Sequence, residues 1–128
     1  MLIDDPATKQ EVEAAFARYE AALTGNDVAT LDALFANDAR TIRYGIAENL
    51  YGHSEIAAFR AARSPTGLAR RLERTVIATY GKDFATASTL FRRATGKVGR
   101  QMQTWVRLSE GWRIVAAHVS VIDDPADS

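Results

Sequence analysis

Tyr19 and Arg43 are the two side chains whose types and settings point most directly to chemistry. Tyr19 falls on an apolar stripe with Val12, Phe16 and Leu23, at spacings of four, three and four. That is one face of an amphipathic helix. A phenol there either finds a backbone acceptor inside the core or offers a proton to a cavity. Arg43 alternates with Thr41 across a short strand, so that one of the two is expected to point inward and the other out. Facing out, Arg43 is a surface arginine; facing in, it is a cation at any physiological pH and able to hold a carboxylate. Further along, Gln101, Gln103 and Trp105 share one face of a strand, where two amides and an indole N–H would meet a polar ligand. His118 and Ser120 fall on the same face as Ile114 and Ala116 in the last strand. Arg60 and Arg63 border the apolar face set by Ile56 and read as solvated side chains.

Several other chemistries lack their parts. There is no cysteine, which removes disulfides, zinc–thiolate sites, iron–sulfur clusters and a thiol nucleophile. There is no GxGxxG, no GxxxxGK[ST], no HExxH and no GxSxG. His53 and His118 lie far apart, without a second ligand at metal spacing, so neither a metal nor a cofactor is expected. Sixteen basic residues balance sixteen acidic ones and the pI is near 6.7, so no basic field is expected to hold nucleic acid or an anionic membrane. Thirteen of the basic residues are Arg, a bias that suits bidentate carboxylate recognition and that GC-rich codon usage also produces. The start, Met1-Leu2-Ile3-Asp4-Asp5-Pro6, lacks a basic stretch followed by an apolar one. No apolar run approaches the roughly 18 residues that span a bilayer. A cytoplasmic protein that handles a small molecule is the expectation.

The elements that must position these residues come in two blocks. The 128 residues, 47% hydrophobic, fit one domain over 1–128, with a frayed acidic tail over 123–128. The spacing predicts a helix over about 7–23, ended by Gly25. A second helix, capped by Asn26 or Asp27, carries Val28, Leu31, Leu34 and Phe35 and ends near Ala36. A short strand over 40–44 follows. A third helix starts after Gly52, with Ser54 as its cap, and stops at Ser64-Pro65. The rest reads as strands over 72–80, 84–93, 100–108 and 112–122 joined by short turns, an antiparallel meander. Helices followed by strands indicate an α+β domain with the helices on one sheet face. Both faces of the last strand read as largely apolar, which predicts cover on both sides and hence a homodimer through the sheet.

These residues also resemble a known fold family. Phe16-x-x-Tyr19, Gly25-Asn26-Asp27-x-x-x-Leu31, Leu34-Phe35-Ala36-Asn37-Asp38-Ala39 and Gly52-x-x-x-Ile56-x-x-Phe59, with the ending Gly111-Trp112-Arg113-Ile114-Val115-Ala116-Ala117-His118-Val119-Ser120, resemble the SnoaL-like, nuclear-transport-factor-two type of α+β cone. The resemblance implies three N-terminal helices on a strongly curved, mostly antiparallel sheet that leaves one deep pocket, and dimers formed through the sheet. Thr41-Ile42-Arg43-Tyr44-Gly45, Glu48-Asn49-Leu50-Tyr51-Gly52, Phe59-Arg60-Ala61-Ala62-Arg63 and Gly99-Arg100-Gln101 through Trp105-Val106-Arg107-Leu108 are similar to the AtzH/HpxZ-like family within it. Members of that family occur beside amidases in cyanuric acid and oxalurate breakdown.

In ketosteroid-isomerase relatives of this cone, a helix-one tyrosine donates to a developing oxyanion and a first-strand aspartate is the base. Tyr19 matches the tyrosine; the base position holds Arg43, which cannot accept a proton. The resemblance therefore implies a small carboxylate bound by Arg43 rather than steroid-type isomerisation. The expected ligand is a carboxylated urea or oxalurate-like anion. Tyr19 and Arg43 would be catalytic, and Asn49, Gln103, Trp105, His118 and Ser120 would bind the substrate. Cofactor-free decarboxylation is the expected reaction, because it needs only an oriented carboxylate and a proton for the nitrogen left behind. The alternative is a non-catalytic accessory or binding subunit of an amidase in the same pathway.

Overall fold

Asp5 opens the first helix by accepting hydrogen bonds from the Thr8 backbone N–H at 3.2 Å and from its hydroxyl at 2.7 Å. Pro6 fills the first helical position, where no N–H is needed. The computed structural model describes residues 1–124, and in it α1 spans Pro6–Thr24 and α2 spans Val28–Leu34. Between them the left-handed residue is Asn26, with φ +52°, and the cap of α2 is Asp27, which binds Thr30 N–H and hydroxyl. The α2 helix stops earlier than its apolar pattern suggests. Phe35 turns extended and bridges to Ile114, while Ala36 N–H donates to Ile114 O at 2.9 Å.

Strand β1 is Ile42–Tyr44 and β2 is Asn49–Tyr51, an antiparallel pair. The sequence reading missed β2, because three residues are too few to show an alternation. Helix α3 spans His53–Ala62 and begins at Gly52 rather than at Ser54. Gly52 has φ +86°, a conformation that glycine adopts without steric cost. Strands β3 (Arg71–Tyr80), β4 (Phe84–Arg92), β5 (Lys97–Leu108) and β6 (Gly111–Asp123) form the meander. The six strands lie in the order β2-β1-β6-β5-β4-β3, with β1 running parallel to β6 and every other pair antiparallel. Residues 2–4 clip the outer edge of β3: Asp4 N–H donates to Thr79 O, Thr79 N–H to the Asp4 carboxylate, and Gly81 N–H to Leu2 O. Asp123 belongs to β6 and Asp124 pairs with Arg92, so these two are not a frayed tail; the rest of that segment lies outside the described residues.

The predicted stripe of α1 is the buried one: Val12, Phe16, Tyr19 and Leu23 join Ala85, Ala87, Trp105, Ile114 and Ala117 of the sheet in one core. The alanines in mid-sheet leave room for the helix on the concave face. Each large side chain buried this way stabilises by roughly 1.5–3 kcal/mol.

Strand β6 corrects the expectation about its faces. Trp105 pairs with Ile114 and Thr104 with Ala116, which leaves Val115 as the extra residue of a bulge. Beyond it the alternation changes phase. The inner face therefore reads Trp112, Ile114, Ala117 and Val119, all buried, and the outer face carries Arg113, His118 and Ser120. Two apolar alternations in the sequence are thus one buried face, spliced at Val115.

Candidate functional site

Under the helices, between the end of α1 and the strands, lies a cavity of about 250 Å³. Tyr19 and Leu23 reach it from α1, Phe59 and Arg63 from the end of α3, and Leu68 and Arg70 from the segment before β3. The sheet contributes Arg43, Phe91, Gln101 and Val119, with Arg93 just beyond β4 and Ile46 and Glu48 from the β1–β2 turn. The cavity is smaller than the roughly 300–1,000 Å³ of drug-sized sites, so its ligand must be small.

Four guanidiniums line this space, and they fall into two kinds. Arg70 is clamped by Glu20, with contacts of 2.6, 2.9 and 3.2 Å, and its Nη2 donates to Gln101 Oε1 at 3.0 Å. Arg43 donates from Nη1 to Glu48 Oε1 at 2.9 Å and lies 5.6 Å over the Phe59 ring. Arg63 and Arg93 have no carboxylate partner among the described residues. Arg63 reaches only Asn26 Oδ1, at 3.5 Å, and its Nε is buried without a partner. Arg93 donates to Gly67 O at 3.1 Å and lies over Phe91, as Arg70 does from 4.6 Å. Burial pushes both Arg63 and Arg93 below the ordinary arginine value, and neighbouring cations push the same way: Arg43 and Arg93 act on Arg63, and Arg70 acts on Arg93, where the Glu20 carboxylate opposes it in part. Both stay protonated, since an arginine does not lose its proton in a protein. Four guanidiniums meet two carboxylates here, so the site carries a surplus of two positive charges.

Tyr19 is buried, set edge-on to Phe35 at 6.3 Å, and its hydroxyl has no hydrogen-bond partner among the described residues. It lines the cavity together with Arg63 and Arg93. The site thus joins a fixed cationic cluster to one uncommitted phenol.

Of the residues expected at the site, Tyr19 and Arg43 are there. Thr41 does not take the opposite side from Arg43. Two residues apart on a strand, both face inward, and Thr41 is buried with its hydroxyl on Ala36 O at 2.8 Å. Gln103 and Trp105 face inward but lie in the core outside the cavity wall, where Trp105 Nε1 donates to Gln103 Oε1 at 3.0 Å. His118, Ser120 and Asn49 are on the other face of the sheet. His118 stands edge-on to Tyr44, Ser120 accepts from Arg100 Nε at 3.1 Å, and Asn49 is exposed opposite Tyr44. The Val115 bulge accounts for His118 and Ser120: without it they would continue the buried face of Ile114.

The arginines other than Arg43 were not foreseen. Arg63 sits four residues after Phe59 and Arg93 two after Phe91, so each shares a face with an aromatic, and that spacing was the available signal. Arg60 is not solvated either. It is 3% exposed, lies over Phe35 at 5.3 Å and stays 3.9 Å from Asp32 Oδ1.

The AtzH-like family model matches residues 1–125. The chain belongs to the AtzH-like family. Among solved structures it is similar to a protein of unknown function from Pectobacterium atrosepticum, with 60% identity and a TM-score of 0.93 over 94% of this chain and 95% of that one. A cystatin-like fold protein from Burkholderia xenovorans is 50% identical, with a TM-score of 0.94 over 98% of this chain and 99% of that one. A nuclear transport factor 2-like superfamily protein from Salmonella enterica serovar Typhimurium is 25% identical, with a TM-score of 0.72 over 93% and 94% of the two chains. No curated protein matches the chain. The AtzH-like chain is therefore an α+β member of the nuclear-transport-factor-two-like superfamily, as its motifs implied. Among the described residues no helix is long and apolar enough to cross a membrane.

Proposed function

We propose that this AtzH-like protein binds a small planar dianion, a urea carboxylated at both ends, and removes one carboxylate as carbon dioxide. One observation carries the reading: two half-buried guanidiniums, Arg63 and Arg93, lack carboxylate partners among the described residues and line the same cavity as the uncommitted hydroxyl of Tyr19. Leaving cations unpaired inside a protein is unfavourable, and an anionic ligand offsets that cost. A dianion matches the surplus of two positive charges.

In the reaction, Arg63 and Arg93 anchor the carboxylate that stays. The departing carboxylate reaches Arg43. Its C–N bond breaks, the electron pair remains on nitrogen, and Tyr19 gives that nitrogen a proton, which it then recovers from water. No redox partner is needed. A protein with this role works in the cytoplasm beside the amidase that makes or consumes the ureide. A second copy of the chain covers the outer sheet face, where Met102 and Val76 stand exposed.

The test is release of carbon dioxide and ammonia from carboxylated ureas generated in situ, with wild type, Arg43→Met and Tyr19→Phe in parallel. Carbon dioxide release by wild type is expected to fall about 10²–10⁴-fold in Tyr19→Phe, the usual range for losing a general acid. Melting temperatures should stay close, because the lost hydroxyl has no partner among the described residues. Ammonia release instead would make the protein an amidohydrolase. Binding without either product would make it an accessory subunit.

A further inference from the structure

The two built-in carboxylates of the cavity are held in different ways. Glu20 grips Arg70 through two oxygens, and Arg70 is 2% exposed, stacked on Phe91 and tied to Gln101. Glu48 holds Arg43 through a single contact at 2.9 Å; its other oxygen accepts from the Ala47 N–H at 3.1 Å. Arg43 also keeps more solvent contact than Arg70, 12% against 2%, while the two glutamates are alike at 21% and 19%. Glu48 also belongs to the four-residue turn between two three-residue strands.

From this difference we infer that Glu48 is a resident competitor for the substrate carboxylate at Arg43, and so sets the affinity and charge selectivity of the pocket. The inference rests on the reading of the cavity as a dianion site. A ligand carboxylate that comes to Arg43 must displace one that is already there. A monoanion has little to gain from that exchange, since Arg63 and Arg93 hold no carboxylate among the described residues. A dianion anchored on those two presents its second carboxylate at high effective concentration and can displace Glu48. Glu48 thus selects for ligands charged at both ends. It also keeps Arg43 from holding the departing carboxylate too tightly, and ground-state binding of that group would slow its loss.

Gly45 makes the arrangement possible. A Cβ there would lie 1.7 Å from Glu48 Oε1, 2.4 Å from its Cδ and 2.9 Å from Arg43 Nη1, all at the free ends of flexible side chains. Gly45→Ala therefore pushes the carboxylate off Arg43 without removing it from the protein, and shifts the guanidinium by less than it shifts the carboxylate.

The experiment is calorimetric titration with glutarate, which is as long as a doubly carboxylated urea and does not react, and with butyrate as the monoanion. If Glu48 occupies Arg43 in roughly nine of ten empty molecules, Glu48→Gln tightens glutarate about tenfold. Gly45→Ala should tighten it several-fold, and butyrate should change less in both. In an Arg43→Met background, Glu48→Gln should change nothing. Unchanged or weaker glutarate binding in both Glu48→Gln and Gly45→Ala overturns the inference. If wild type binds glutarate and Arg63→Met weakens it while those two variants do not differ from wild type, only the competitor role falls. If neither wild type nor Glu48→Gln binds glutarate, the dianion reading falls and takes this inference with it.

Discussion

Arg63→Met should make the empty protein more stable and the loaded protein less so. Methionine keeps most of the apolar stem and removes the charge. In the empty cavity that charge is a burden: its Nε is buried without a partner, its one hydrogen bond is 3.5 Å long, and Arg43 and Arg93 oppose it. An unsatisfied buried donor costs roughly 1–3 kcal/mol, and half-burial places this one at the low end. Relief of about 1 kcal/mol corresponds to a rise of about 4 °C in melting temperature for a domain of this size. Binding moves the other way. A hydrogen bond to a charged group contributes roughly 1.5–3 kcal/mol, so glutarate affinity should fall about 10–150-fold. At a concentration of roughly 100 times its Kd, glutarate stabilises wild type by about 2.7 kcal/mol. At the same concentration a variant with a Kd raised roughly 30-fold gains only about 0.9 kcal/mol. Thermal melts with and without glutarate therefore cross: the variant melts higher alone and lower with ligand. A variant that melts lower than wild type alone and still shows the full ligand shift would refute the argument that Arg63 is held unpaired for an anion.

Three further outcomes follow from the packing. In Gly99→Ala the new Cβ would lie 2.1 Å from Phe91 Cζ, under the ring that carries Arg70 and Arg93, so overpacking should destabilise by roughly 1–3 kcal/mol in urea denaturation and weaken glutarate binding as well. Asp5 and Asp27 are held below the ordinary carboxyl value of 3.8, each first by a side-chain hydrogen bond from its threonine, Thr8 or Thr30. Their contribution is complete above about pH 4 and lost as pH falls through the lowered folded values, so melting temperature in Asp5→Ala should depend less on pH below 4 than in wild type. Met102→Glu, at an exposed mid-sheet position of the outer face, should convert a dimer to monomer in light scattering and leave the melt of the monomer close to wild type.

The helices and the meander were legible because their signals are long. Val12, Phe16, Tyr19 and Leu23 repeat the helical period over three turns, and four strands of nine or more residues alternate between recognisable turns. Tyr19 was legible for the same reason, since the helical stripe fixes its direction; Arg43 was not, because its alternation with Thr41 left its side open and the family resemblance alone pointed it inward. The remainder of the site was not, because it depends on contacts between distant segments. Glu20 meets Arg70 across fifty residues of sequence, and no local pattern tells that arginine from the exposed Arg71 beside it. His118 and Ser120 were placed inside because a period of two was carried unbroken through Val115, where the strand gains a residue. A one-residue bulge has no composition of its own, so the alternation alone cannot reveal it. For Gln103 and Trp105 the strand pattern shows a shared face but not which way it points; it points inward, and an inward face has a dry part and a hollow part that only the packing of α1 divides.

The clip of residues 2–4 on β3 bears on how the protein behaves in a crowd. An open sheet offers two rims of unpaired backbone, and each is a template on which another chain can grow a strand. Here one rim is β2, only three residues long. At the other, Ile3 and Asp4 occupy the Thr79–Tyr80 end of β3, while the opposite end is kinked by a register shift between Glu73 and Val76 and bristles with Arg71, Glu73 and Arg74. A sheet finished this way resists templated fibre growth even when its concentration rises. Trimming the first four residues should undo that protection before it disturbs the cavity, and the trimmed protein would then be lost to precipitation while its pocket is still intact.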